Sequence, residues 1–480
     1  MNKQFLTLLM ILGMFFSTGS SQVMELTLEQ AVDLALENNV NMQNAQEDLL
    51  KAKAQRKEAF SSALPVLSGF GQLSHSFSIA TQPMSFPVPF GVIDAAGNPV
   101  PLTDGSGNPV PFTDANGNII PGMNLQMTGV QLVPVDLAFG SENTMVYGLN
   151  LTQPLFEGRV IAAIRGANVY GDLAISAADV TRLSVIENTK KAFYQVLLAD
   201  KMIFVMEQSL DVMKQNLKNV SAFFAQGKTA EFDVIRADVQ VANQTTMVSN
   251  ARKMRELAYA GFKRNCGLSI RQEVKTIGKL EVEINDNIQL ADLERRMLSR
   301  QPLLNQLDAN VRLMKENILL VKAEFMPSVA LTGSYQQMLP YDDGEYDNAE
   351  FRESSSLAIR VNLPIFNGFG STARVQKAKA DYRKSQYQEQ DIKENLLLEL
   401  KSIYLSIVES SRKIDAGKKG VAQAHKGVDM AQRLFQQGMA SQLQVLDAQS
   451  ASDQAELGLY QAYFEYNSAH ASLSRALGDE

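Results

Sequence analysis

Apolar residues recur along most of this chain at helical spacing, and in a few short stretches at strand spacing. Read backward from Phe224, the positions Val220, Leu217, Met213, Leu210, Met206, Ile203, Ala199, Val196 and Ala192 alternate steps of four and three. That 3.5-residue period is the signature of a coiled-coil seam. Ile403, Ile407, Ser410, Ile414, Gly417, Val421, Ala424, Val428, Ala431 and Phe435 repeat it with more small residues, which let neighbouring backbones approach. No proline interrupts 157–224, so the first seam predicts a helix of roughly 100 Å at 1.5 Å per residue. Gly227 and Gly438 break the two long patterns, and apolar spacing resumes at once, through Val234, Ala237 and Val241 and through Val445, Ala448 and Ala455. Each glycine is therefore the expected tip of an antiparallel helical hairpin. A further helix is expected from Val40 to Leu64. End to end, it and a returning helix nearly match the long one.

Strict alternation marks three strands: Met145, Tyr147, Leu149 and Leu151; Val329, Leu331, Gly333 and Tyr335; and Leu357, Ile359, Val361 and Leu363. A fourth, less regular, is expected over 66–77. One apolar and one polar face suit a strand with lipid on one side and water on the other, and equally a half-buried soluble sheet. Pro154 and Pro364 stand where the second strand of each pair gives way to a long helix. A proline has no donor and is expected to end the ladder, with Gly158 and Gly368 letting the chain swivel into the helix.

The chain is written twice. The helix stop at Pro65 is answered at Pro327, an offset of 262. Leu149–Gly158, with its Pro-Leu-Phe-Glu-Gly, is answered by Ile359–Gly368, with Pro-Ile-Phe-Asn-Gly, at 210. Phe224-Ala-Gln-Gly227 is answered by Phe435-Gln-Gln-Gly438 at 211. The expected division is a first repeat over 22–270 and a second over 271–480. The change of offset assigns about 52 extra residues to the first copy, an insertion at about 80–140. Within it, Asp94–Pro101, Asp104–Pro111 and Asp114–Pro121 repeat Asp, Gly, Asn and Pro at a ten-residue period. That composition reads as successive turns, without the ligand spacing of a calcium loop.

Lys3 followed by the apolar run Phe5–Phe16 and the small residues after it reads as a signal peptide, 1–21, so export is expected. Later apolar runs are too interrupted by charge to span a bilayer as helices, which leaves strands for any crossing. Lys and Arg total 45 against 52 Asp and Glu, a net charge of −7. This balance argues against a nucleic-acid partner. With one cysteine, Cys266, and three scattered histidines, no disulfide, metal or other cofactor is expected. Gln226-Gly-Lys-Thr229 lacks the earlier glycine of a phosphate loop, with Ala222 in that place. No catalytic motif is found, and the chain is not expected to be an enzyme.

Four strands cannot close a barrel, since such barrels start at about eight strands. An open edge in lipid leaves backbone groups unpaired at several kcal/mol each. If these strands cross a membrane, two, three or four copies must share the wall. An exported coiled-coil filament would explain the heptads but not the strands before each Pro-Phe-Gly turn.

The duplicated turns, the two Phe-x-x-Gly tips and the opening Leu26–Asn39 together resemble the TolC-like outer-membrane efflux family over essentially the whole mature chain. The resemblance implies a mainly α fold with a β-barrel portion. Duplicated long helical hairpins and four strands per chain would form a shared twelve-stranded barrel and an α-helical tunnel in a homotrimer. It implies an outer-membrane location, with outer-membrane lipid around the barrel and the helices in the periplasm. The tips at Gly227 and Gly438 would dock a periplasmic adaptor protein and an inner-membrane transporter. It implies a passive exit duct for small molecules, or for proteins in type I secretion. The family's aperture positions fall here on Asp233, Gln444 and Asp447, one of them neutral, while Ala440 stands where a basic latch residue sometimes occurs.

Overall fold

The computed structural model describes residues 23–89, 106, 116, 118, 130–138, 140–282, 284, 288–342 and 350–479. The expected signal peptide and the Asp-Gly-Asn-Pro repeats lie almost wholly outside them. The described chain is mainly helical and divides into two compact units that cut across the two sequence copies. One comprises 1–62, 157–326 and 363–480, the other 63–156 and 327–362.

In chain order the elements are β1 (Met24–Leu26), α1 (Leu28–Asn38), α2 (Val40–Ser61), β2 (Val66–His75), β3 (Thr81–Pro89), β4 (Val130–Ala138) and β5 (Asn143–Glu157). There follow α3 (Gly158–Ala225), α4 (Glu231–Asn265), β6 (Val274–Thr276), α5 (Leu290–Arg300), α6 (Pro302–Lys322), β7 (Ser328–Tyr341), β8 (Arg352–Asn362), α7 (Gly370–Gln436) and α8 (Gln442–Leu477). The long helices α3 and α7 hold 68 and 67 residues, each roughly 100 Å at the standard rise. They pair with the returning helices α4 and α8 as two hairpins, and α3 also packs on α1, α2, α6 and α8.

The core of the helical unit gathers Phe193, Val196, Leu197, Phe262, Met297, Leu400, Ile407 and Tyr466. Burying each such large side chain contributes about 1.5–3 kcal/mol. The expected seam of α7 is buried at Ile403, Ile407, Ser410 and Ile414, then half-buried from Gly417 onward. In α3 the buried stripe nearer the tip runs instead through Val205, Ser209, Asn216 and Val220. Val220 is on the expected seam, while Val205, Ser209 and Asn216 each lie one residue from Met206, Leu210 and Leu217; two of the four are polar, so an apolar period alone misses them. A three-residue parallel pairing of β1 with β6 also joins this core. It is too short to leave a periodic signal.

Two helix junctions explain how short helices stack end to end. Asn39 breaks α1 from α2; its Oδ1 accepts from Asn41 N at 2.8 Å and its Nδ2 donates to Asn265 O, at the end of α4, at 2.7 Å. Gln301 breaks α5 from α6, and its Nε2 donates to Arg475 O and Ala476 O of α8 at 2.9 and 3.0 Å. Both amides satisfy carbonyls in the last turn of a helix, and Arg475 O also accepts from Gly478 N at 3.1 Å. Gly267 and Gly478 complete the joints. Both are left-handed (φ +71° and +74°), and a Cβ would stand 2.3 Å from Asn38 O or 2.7 Å from Arg300 O.

Beside them, Glu187 is buried and receives Lys191 Nζ at 2.7 Å, Arg475 Nε at 2.5 Å and Ser472 Oγ at 2.8 Å. Burial pushes its carboxyl up, but the hydrogen bonds from Lys191 and Ser472 and the charges of Arg475 and Lys191 together hold it below the ordinary value. Cys266, fully buried at the end of α4, has its thiol pushed up to about 12 by burial, which removes it from thiolate chemistry.

Two outcomes are expected. Gly267→Ala combines a left-handed strain of about 1–2 kcal/mol with a backbone clash, and should lower the thermal midpoint of the purified protein sharply. Because the Glu187 pKa is lowered on folding, its contribution is present above the ordinary carboxylate range and lost as pH falls through the lowered value. Glu187→Gln should therefore cost about 2 kcal/mol near neutrality. Denaturant titrations should show that penalty shrinking with acid; a penalty constant with pH would contradict the assignment.

Candidate functional site

The hairpin tips are built from helix-terminal hydrogen bonds. At the first, Gly227 (φ +70°) ends α3, and Lys228 N donates back to Phe223 O at 2.9 Å. At the second, Gly438 (φ +74°) ends α7, and Met439 N donates to Leu434 O at 2.9 Å. A left-handed residue after a helix closes its last carbonyls at no cost only for glycine. The phosphate-loop-like Gln226–Thr229 is this turn. Phe223 and Phe435 meet edge to face at 6.1 Å, joining the ends of α3 and α7. Phe224, Phe232, Ile235, Met439 and Leu443 are exposed around the tips. A groove of about 770 Å³ runs beside them, lined by Phe204, Asp211, Asn216, Phe223, Phe435 and Val445.

The three expected aperture residues differ in what holds them. Asp233 Oδ2 accepts from Thr229 Oγ1 at 2.8 Å, which ties it to its own helix start. Gln444 Oε1 accepts from Ser441 N at 2.8 Å, while Gln444 N donates to Ser441 Oγ at 3.4 Å. This reciprocal capping box starts α8, and the Ser-x-x-Gln that makes it was readable in the sequence. Asp447 is exposed, and among the described residues no hydrogen bond or ion pair engages it. Of the three, its carboxylate alone is unengaged.

The turns into the long helices depart from expectation. The β5 ladder with β2 stops at Thr152, but the strand continues through Pro154 to Glu157, and α3 begins at Gly158 without a loop. A proline can remain in a strand where its nitrogen faces away from the ladder. Gly158 serves space rather than swivel: a Cβ there would lie 2.7 Å from Met326 Sδ and 3.0 Å from Ala323 Cβ. In the second copy β8 ends at Asn362 before Pro364, and Gly368 and Phe369 are both left-handed (φ +64° and +66°) ahead of α7.

The strand unit holds a four-stranded sheet in the order β2-β5-β7-β8. The pairs Leu67↔Leu151 and Gly69↔Leu149, and Leu331↔Ile359 and Val329↔Val361, put the apolar positions of each hairpin on one face. A Cβ on Gly333 would lie 3.6 Å from Leu151 Cβ, so the two hairpins share that face. The opposite face pairs Ser68 with Asn150 and Ser334 with Ser356. Leu357 and Ile359 remain 72% and 66% exposed. Among the described residues, no strand lies beside the outer edges of β2 and β8. A contiguous exposed apolar face of this kind marks a surface that a partner or lipid covers. Within the expected insertion, on either side of the Asp-Gly-Asn-Pro repeats, β3 pairs with β4 as an antiparallel ribbon. Pro83, Pro87 and Pro89 fall on alternate residues of β3 and leave its outer edge short of donors.

No helix among the described residues is long and apolar enough to cross a membrane. A sequence profile described as "Outer membrane efflux protein" matches residues 120–267 and 293–479. Nodulation protein T of Rhizobium leguminosarum bv. trifolii is 21% identical over 344 residues, 70% of this chain and 72% of its own length. The outer membrane protein TolC of Escherichia coli is 23% identical over 359 residues, 70% of each chain. The Campylobacter jejuni CmeC outer membrane channel superposes with a TM-score of 0.71 at 18% identity, covering 94% of this chain and 85% of its own. The open state of the Neisseria gonorrhoeae MtrE outer membrane channel does so at 0.68 and 17%, covering 96% and 93%.

Ser441→Ala removes the hydroxyl half of the second-tip capping box, the bond from Gln444 N, and leaves the backbone N–H of residue 441 free to reach Gln444 Oε1; the loss is worth about 1 kcal/mol. Hydrogen exchange of the amides at 441–446 should accelerate about fivefold, while those around Gly227 stay unchanged.

Proposed function

This chain belongs to the outer membrane efflux protein family, and from that membership we propose that three copies close one twelve-stranded barrel continued by a helical tunnel. As a family member the chain is an outer-membrane efflux protein, an exit duct. The solved structures named above are outer membrane channels. The observation that carries the trimeric reading is the sheet itself. Its apolar face is bare, its polar face is lined with serine, threonine and asparagine, and both edges lack a partner. Lipid can cover the first and water the second, and β8 of one copy can pair with β2 of the next. Closure satisfies every ladder group, which an open edge in hydrocarbon cannot do.

The tips and their neighbouring groove are the docking region for a periplasmic adaptor, and through it an inner-membrane transporter. Exposed Phe232, Met439 and Leu443 supply apolar anchors of the kind that interfaces bury. Asp447 faces the aperture, where three copies concentrate negative potential in a narrow opening. Asp233 and Gln444 brace the helix starts behind it. The same duct serves small-molecule efflux or protein secretion, since cargo is selected by the transporter. A relative named alkaline protease secretion protein AprF, from Pseudomonas aeruginosa, is 20% identical.

The detergent-extracted protein should run as a heat-dissociable trimer and conduct in planar lipid bilayers. Asp447→Asn should lower cation-over-anion selectivity in single-channel recordings. A stable monomer without conductance would defeat the pore; unchanged selectivity would remove Asp447 from the aperture.

A further inference from the structure

The polar face of the sheet is charged with one sign only. In the paired stretches its positions are filled by Ser68, Gln72, Asn150, Thr332 and Ser356 and their like, with no carboxylate. Its only charges are Arg352 and Arg360, both on β8. Arg352 stands at the very start of β8. Arg360 lies two residues from the end of the ladder that leads toward α7, opposite Ala330 on β7. Its side chain is exposed, and among the described residues no carboxylate pairs with it. The strand edge that would adjoin β8 in a closed barrel is β2, whose polar-face positions are Val66, Ser68, Phe70, Gln72 and Ser74. No counter-ion comes from that side either.

We propose that the three copies of Arg360 form a basic ring inside the barrel, making this section of the duct anion-binding, opposite in sign to Asp447. The ring rests on the pore reading above. Twelve strands at the usual spacing and a tilt of about 40° enclose a backbone diameter of roughly 24 Å. Guanidinium groups reach inward from that wall, so an ion on the axis lies within about one Debye length, some 8 Å at physiological salt, of all three. At 1 M salt that length falls to about 3 Å and the potentials cease to overlap. The fork of donors on each arginine suits carboxylates, sulfates and phosphates. The ligand class is therefore a solute carrying one or more such groups, held weakly enough to pass.

The test uses the purified trimer in planar lipid bilayers with inorganic tripolyphosphate added to each chamber in turn. The expected result is current block from one side at 0.1 M salt, relieved at 1 M salt. Arg360→Gln should weaken that block about tenfold or more, and Arg360→Lys should largely retain it. Ala330→Asp leaves the arginine in place but sets a carboxylate opposite it, and should also weaken the block, which keeps the test open if Arg360→Gln fails to assemble. Equal block in a conducting wild type, Arg360→Gln and Ala330→Asp would overturn the ring and leave the duct standing. No conductance in the wild type would overturn the duct and the ring together.

Discussion

Every backbone donor and acceptor withdrawn from water must find a partner, and this structure is arranged around that requirement at two scales. Within the helical unit, the amides of Asn39 and Gln301 reach across to the last carbonyls of α4 and α8. Short helices thereby continue one another without exposing their ends. In the strand unit the requirement is left unmet by a single chain, because β2 and β8 each offer a free edge. The first case is solved locally by a side chain. The second is left open by the single chain, and in hydrocarbon an open edge would leave its backbone groups unpaired; the shared wall proposed above would close it.

Packing in the helical unit is graded. Around Phe193, Phe262, Met297 and Leu400 the interior is large, apolar and fully buried. Nearer the tips the contacts become small or polar. Gly417 brings α7 within 3.1 Å of Leu459 Cδ1 at a built Cβ. Ser209 of α3 donates to Asp453 Oδ2 of α8 at 2.5 Å, and Gln449 donates to its other oxygen at 2.8 Å. Burial holds the Asp453 carboxyl above its ordinary value despite those hydrogen bonds. A helix held by a few directional contacts can exchange them, whereas an apolar wall resists sliding. The low-stability end of such a unit is where a gate belongs.

Much of this was legible in the sequence because duplication repeats each signal. The tip glycines stand 211 apart, as do Gly267 and Gly478, and the second pair would have marked the helix joints had it been sought. The four strands of the sheet, the two hairpins and the tips were found from period and punctuation. The β1–β6 pairing was not, because three residues carry no period. The reach of β5 through Pro154 was not, because sequence does not say which way a strand's nitrogen points. The capping role of Gln444 was not drawn, although its spacing from Ser441 already offered it. The bare charge at Arg360 is visible only once the register shows what its face lacks.

The two copies have diverged where it matters for a moving part. In the first, β5 runs straight into α3, with Gly158 pressed against Ala323 and Met326. In the second, a left-handed pair at Gly368 and Phe369 separates β8 from α7, and nothing lies within 4 Å of a Cβ on Gly368. The first long helix packs against five others, while α7 packs against α5, α6 and α8. Duplication thus produced one hairpin that is clamped and one that is more loosely hung. Small residues along the α7 seam reinforce the difference. In the assembly proposed above, one fixed and one looser hairpin per copy would let an aperture change size while the wall keeps its hydrogen bonds.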